Sequence, residues 1–153
     1  MNVDDAVQTF LDALAAEGRA ARNTLAAYGH DLALLAEFLE ERGVRDIREV
    51  RREHITFFAS WLTGRGAAAT TLARRMAAVR RLFRHLVVEG VLEGDPTERV
   101  PLPRRPQALP KALTPDEVKA LLAAPGEAND LGLRDTALLT MMYSTGLRVS
   151  ELC

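Results

Sequence analysis

Arg148 is the residue whose type and setting are best suited to chemistry. It stands in Ser144-Thr145-Gly146-Leu147-Arg148-Val149-Ser150-Glu151-Leu152, directly after the apolar run Ala137–Tyr143. That run reads as a buried helix, and Gly146 breaks it as a residue able to take positive φ at a helix end would. A guanidinium presented beside such a break can fork onto two oxygens of a phosphate or a carboxylate. The spacing equally allows a surface ion pair with Glu151, three residues on, which would carry little energy.

A second basic cluster lies on the helical pattern Thr70–Glu89. Leu72, Met76, Val79, Phe83, Leu86 and Val87 share one face there. Arg74 and Arg81 lie opposite that face, Arg84 and His85 beside them, and Arg75 and Arg80 flank the apolar stripe. A one-sided arginine ridge is what phosphate and groove binding require, although a solvated helix face carries charge runs too. From Arg65 to Lys111 there are ten basic residues against four acidic ones, on a chain whose net charge is only −1. The basic character is therefore a local patch, with the acidic counterweight mostly before residue 54 and after residue 115.

The elements that must position these groups read as helices. With 48% hydrophobic and 27% charged residues, the 153-residue chain has the balance of a globular protein and not of a disordered one. Its length suits one ordinary domain and part of another. Cys153 is the only cysteine, so no internal disulfide forms, and no metal-ligand spacing is present. We expect no metal site. There is no signal peptide and no apolar run near the roughly 18 residues of a membrane span, so a soluble cytoplasmic chain is expected.

A first helix is predicted from about Asp4 to Ala16, with Val7, Phe10, Leu11 and Leu14 at helical spacing and Gly18 as its stop. Asn23 or Thr24 is placed to cap a second, lined by Leu25, Tyr28, Leu32, Leu35, Ala36 and Leu39 and ended by Gly43. Tyr28 reads as a core residue with its hydroxyl at the rim, or as a phosphate contact. A third helix runs from about Arg52 to Leu62 with Trp61 anchoring its core, and the arginine-ridged helix follows. His30, His54 and His85 are scattered over these helices as surface or satisfied histidines. Four prolines in Val100–Lys111 forbid a continuous helix and favour a stiff, extended tether, whose Arg104, Arg105 and Lys111 could touch phosphates. Thr114-Pro115-Asp116-Glu117 restarts helix as a capping box, and Leu131–Thr145 forms another. Residues 113–153 are too few to bury a core of their own.

Gly-Leu-Arg-Val-Ser-Glu-Leu at 146–152 resembles the first catalytic-arginine motif of tyrosine site-specific recombinases. Leu131–Leu139 resembles the run before that motif in the Xer branch. Ala124-Pro125 and Gly132-Leu133-Arg134-Asp135 look more like the XerD than the XerC subfamily. The resemblance covers essentially the whole chain but only the front of such an enzyme. It implies a mainly α architecture: a four-helix, SAM-like core-binding domain at 1–95, a proline-rich linker at 96–112, and the first helices of an incomplete catalytic domain at 113–153.

The family cuts one DNA strand by tyrosine attack on a phosphodiester, through a 3′-phosphotyrosyl link, with no metal or nucleotide cofactor. By resemblance Arg148 is a phosphate-binding catalytic arginine, and Glu151 orients the site or simply pairs on the helix surface. The helices at 24–42 and 70–89 would face the major groove of a recombination site, within a C-shaped clamp closed by the catalytic domain. The implied DNA contacts are Arg74, Arg81 and Arg84, with Arg75 and Thr24 weaker, mostly to phosphates. The family's lysine, its His-x-x-Arg box, its later His or Trp, and its tyrosine nucleophile all lie downstream of the motif. Tyr143 precedes the motif and is no candidate nucleophile. A truncated piece that binds but does not cut is therefore expected. The implied partners are double-stranded DNA, a XerC-like recombinase in a heterotetramer and an FtsK-like DNA translocase, in chromosome dimer resolution at cell division. The competing readings are a phage or mobile-element integrase and a non-catalytic helical DNA-binding or protein-interaction module.

Overall fold

The computed structural model describes residues 1–18, 21–101, 112–126 and 129–152. The chain divides into two compact units, Met1–Gln107 and Ala108–Cys153. The architecture is mainly helical, as expected, and the described residues hold no strand beyond an isolated bridge between Asn2 and Asp46.

The first unit contains α1 (Val3–Ala16), α2 (Arg22–Glu40), α3 (Arg52–Gly64) and α4 (Ala69–Val88), with a 3₁₀ turn at Ile47–Glu49. Their apolar stripes converge on one core. Phe10 and Leu14 of α1, Leu32, Leu35 and Phe38 of α2, Ile55 and Phe58 of α3, and Met76, Val79 and Phe83 of α4 are all buried in it. Each such side chain contributes roughly 1.5–3 kcal/mol by leaving water. Phe38 meets the rings of Phe58 at 5.3 Å and Trp61 at 5.5 Å, both edge-on, so Trp61 does anchor the α2–α3 contact. Two cations cover the rim of this cluster: Arg42 lies 3.7 Å over the Phe38 ring, and Arg65 lies 3.7 Å over the Trp61 ring and pairs with Glu37 at 3.3 Å.

Three sequence expectations are corrected in this unit. Helix α2 begins at Arg22, with Ala21 in the N-cap position and no side-chain cap. Thr24 lies inside the first turn, its backbone N–H donating to the Ala21 carbonyl at 2.8 Å. Helix α3 runs through Gly64, because the interior cost of one glycine at an exposed C-terminus is small. The packed unit also continues past residue 95. Asp95 accepts from the backbone and hydroxyl of Thr97 at 2.7 and 2.6 Å, and this turn delivers Val100 into the core. Arg80 secures it by donating to the Val100 carbonyl at 2.5 Å. The expected tether at Leu102–Lys111 lies outside the described residues.

The second unit contains α5 (Pro115–Ala123), α6 (Asp130–Thr145) and the short α7 (Val149–Leu152). Thr114 and Glu117 form the predicted capping box on α5, with the Thr114 N–H donating to Glu117 Oε2 at 2.7 Å. Asn129 caps α6 through Gly132 N–H at 2.9 Å. Gly132 is the only buried residue among the described ones in these helices. A Cβ there would stand 2.6 Å from the Gly126 carbonyl oxygen, so glycine is what lets the loop after α5 close onto α6. The run Ala137–Tyr143 is helical, but it is not buried as expected. Met141 and Tyr143 are exposed, because three helices supply too few apolar layers to enclose it.

Candidate nucleic-acid interface

The arginine-bearing side of α4 is built by the same heptad-like spacing that buries its opposite side. Leu72, Met76, Val79, Phe83 and Leu86 point inward, which leaves Arg74, Ala77, Arg81, Arg84 and Val88 exposed along a stripe. Its neighbour is α2, which runs antiparallel to α4. Tyr28 approaches Arg81 while Asp31, one turn later in α2, approaches Arg74 and Arg75 earlier in α4.

The four arginines differ in how they are held. Arg81 is exposed, with its guanidinium 5.8 Å from the Tyr28 ring centroid. Tyr28 is half-buried and packs 6.3 Å from the Phe10 ring, in keeping with a core residue at the rim. Arg84 is exposed, and neither Arg81 nor Arg84 makes an ion pair among the described residues. Arg74, 44% exposed, donates from Nη1 to Asp31 Oδ2. Arg75 is only 19% exposed and turns its Nε toward Asp31 Oδ1 at 3.6 Å. The ridge read from the sequence is thus two open arginines and two that share a carboxylate. Thr24 lies four residues before Tyr28 on α2, on the same side, and is half-buried.

Asp31 is the residue that sequence reasoning missed. It is 0% exposed, and its charge is tolerable in the interior only because guanidinium groups face it. A signal was present: an aspartate amid Tyr28, Leu32 and Leu35 on the apolar side of a helix requires a cationic partner.

Arg148 and Glu151 belong to the other unit. Gly146 ends α6 in the left-handed conformation, φ 69°, as its position predicted, and its N–H donates to the Met142 carbonyl at 2.9 Å. The chain then re-enters a helical turn in which Glu151 accepts from the Arg148 backbone N–H at 2.8 Å and from Arg148 Nη1 at 3.0 Å. The ion pair that the spacing allowed as an alternative forms, and it leaves Arg148 82% exposed. One face of the fork is occupied while the rest is open to an anion. Arg104, Arg105 and Lys111 lie outside the described residues. Among the described residues no three His, Cys, Asp or Glu side chains converge as for a metal ion, and no helix is long and apolar enough to cross a membrane.

Comparison with known proteins places both units in known domain families. Residues 7–90 match the model for the phage integrase N-terminal SAM-like domain, and residues 111–153 that for the phage integrase family. The chain is 42% identical over 98% of its length to a tyrosine recombinase XerC of Roseiflexus sp. strain RS-1, covering 48% of that relative. It is 42% identical over 97% of its length to a tyrosine recombinase XerD of Xanthomonas campestris pv. campestris, covering 46% of it. A XerD of Yersinia pestis is 43% identical over 95% of the chain, with 48% of that relative covered. The chain spans about half the length of these relatives, and both subfamily names occur at the same level of identity.

Proposed function

The chain belongs to the phage integrase family of tyrosine recombinases, and from that membership we propose that these 153 residues grip duplex DNA for site-specific recombination of the Xer kind. The observation that carries the reading is the exposed stripe on α4, where Arg81 and Arg84 stand without ion partners among the described residues, beside the tethered Arg74. Guanidinium groups so presented bind backbone phosphates, which position the protein without reading sequence. Arg75 and Thr24 would support them from the α2–α4 seam.

Arg148 is proposed to neutralise non-bridging oxygens of the scissile phosphate, with Glu151 fixing its orientation. The 3.0 Å pair between them supports that role, since a guanidinium held on one edge loses less freedom when its other edge binds. The two tyrosines of this chain are poor nucleophiles for the step. Tyr28 packs against Phe10, and Tyr143 stands on α6 ahead of the arginine turn. We therefore propose that residues 1–153 bind a target without cutting it.

Within the Xer branch, Ala124-Pro125 and Gly132–Asp135 incline the assignment to XerD, acting with a XerC-like partner and an FtsK-like translocase in the cytoplasm to resolve chromosome dimers. The test is binding of the 153-residue chain to a nicked Xer-type recombination half-site and to a scrambled duplex. The proposal expects tighter binding to the half-site and no covalent adduct after denaturation. Equal affinity for both duplexes would remove the recombination reading, and a covalent adduct would contradict the inactive role.

A further inference from the structure

Two guanidinium groups converge on one buried carboxylate at the α2–α4 seam, and that imbalance has a functional meaning. Asp31 is wholly enclosed, Arg75 is largely enclosed and Arg74 reaches the surface. One negative charge faces two positive ones. Asp31 Oδ1 and Arg75 Nε approach to 3.6 Å but have no hydrogen-bond partner among the described residues. The cluster therefore keeps a net positive charge, and its outlet to solvent is the exposed part of Arg74. Arg74 also stands on the exposed stripe of α4 with Arg81, two turns away, or about 10.5 Å along the axis.

We infer that Asp31 is a positioning residue for DNA binding: it fixes Arg74, backed by the charge of Arg75, as a preset seat for one backbone phosphodiester on the α4 ridge. This rests on the duplex-binding reading above. An arginine on a surface helix ordinarily spreads over many rotamers, and ordering it on a ligand costs free energy. Asp31 takes up Nη1, and the Arg74 guanidinium makes no other hydrogen bond among the described residues, so its remaining N–H groups are available to a ligand. The surplus charge from Arg75 prevents the carboxylate from cancelling the attraction for phosphate. A solvent-exposed aspartate would repel the duplex. A buried one with two cations acts through geometry.

The sign of one substitution separates this role from simple electrostatics. Asp31→Asn removes a negative charge, so a bystander or inhibitory aspartate predicts tighter binding to a polyanion. A positioning aspartate predicts weaker binding. Affinity of the 153-residue chain for a mixed-sequence DNA duplex is measured against salt for the native chain, Asp31→Asn, Arg74→Ala and the double variant, with helical circular dichroism as the folding control.

The expected result is severalfold weaker binding by Asp31→Asn and by Arg74→Ala, each lowering the log–log salt slope by about one. The double variant should be no weaker than Arg74→Ala alone. Tighter binding by folded Asp31→Asn, or additive losses in the double variant, would overturn the inference. If Asp31→Asn does not fold, Arg74→Ala decides: unchanged affinity and slope overturn the seat. A native chain with no salt-dependent affinity overturns the duplex-binding reading itself, and the seat with it. Normal native binding lost in Arg81→Ala but indifferent to Asp31 and Arg74 overturns the seat alone.

Discussion

Arg80 and Arg81 are adjacent in sequence and do different work. Arg80 turns inward and donates to the Val100 carbonyl, so it fastens the segment after α4 to the core. Arg81 turns outward beside Tyr28. Replacing Arg80 with Met leaves that carbonyl short of a charged donor and should cost about 1–3 kcal/mol in thermal or denaturant unfolding. It should barely alter the salt slope of duplex binding. Arg81→Ala should do the reverse, weakening binding and lowering the slope by about one with little loss of stability. The helical wheel distinguishes these two arginines only partly. It placed Arg81 opposite the apolar stripe and Arg80 on its flank, but the acceptor of Arg80 lies twenty residues away. The Asp31 partnership is 43 residues distant from Arg74 and depends on the register of α2 against α4, which periodicity within one helix cannot supply. The Gly146 turn and the Arg148–Glu151 pair were legible because all their determinants lie within a few residues of each other.

At the level of elements, α5 owes its start to side chains. The Glu117 carboxyl is held below its ordinary value, first by the Thr114 backbone N–H and then by the Thr114 hydroxyl. A carboxyl that titrates lower when folded contributes stability above its unfolded value and loses that contribution as pH falls through the folded one. The Thr114 amide proton should therefore lose protection from exchange, and shift in NMR spectra, at a pH below the usual glutamate range. In Glu117→Gln the transition should vanish. A titration at the ordinary glutamate value would contradict the cap. The Thr-Pro-Asp-Glu signature made this helix start readable to the residue. Helix α2 was not, because no side chain caps it and the first turn simply extends to Arg22 ahead of Asn23 and Thr24. Amphipathic spacing was a sound guide to helix existence throughout. It misled only about burial, in Ala137–Tyr143, where helical apolar residues lack enough packed neighbours within Ala108–Cys153 to enclose them.

For the whole molecule, formal charge overstates the basic surface. Of the ten basic residues from Arg65 to Lys111, Arg65 is bound by Glu37 and Glu41, Arg74 and Arg75 share Asp31, and Arg80 is committed to Val100. Arg104, Arg105 and Lys111 lie outside the described residues. Arg99 is exposed beyond the end of α4, so what remains for a duplex on the α4 stripe is Arg81, Arg84 and the outward part of Arg74. A net charge of −1 with so few open cations on this stripe predicts modest affinity, strongly dependent on salt and on those few groups. The most direct measurement is therefore the salt dependence of duplex binding by the 153-residue chain and by its Arg81→Ala/Arg84→Ala variant. The native chain should give a log–log slope of about −2 to −3, and the variant should lose about two units of it. A native affinity indifferent to salt, or a variant that binds with the native slope, would contradict the assignment of this helix face to DNA.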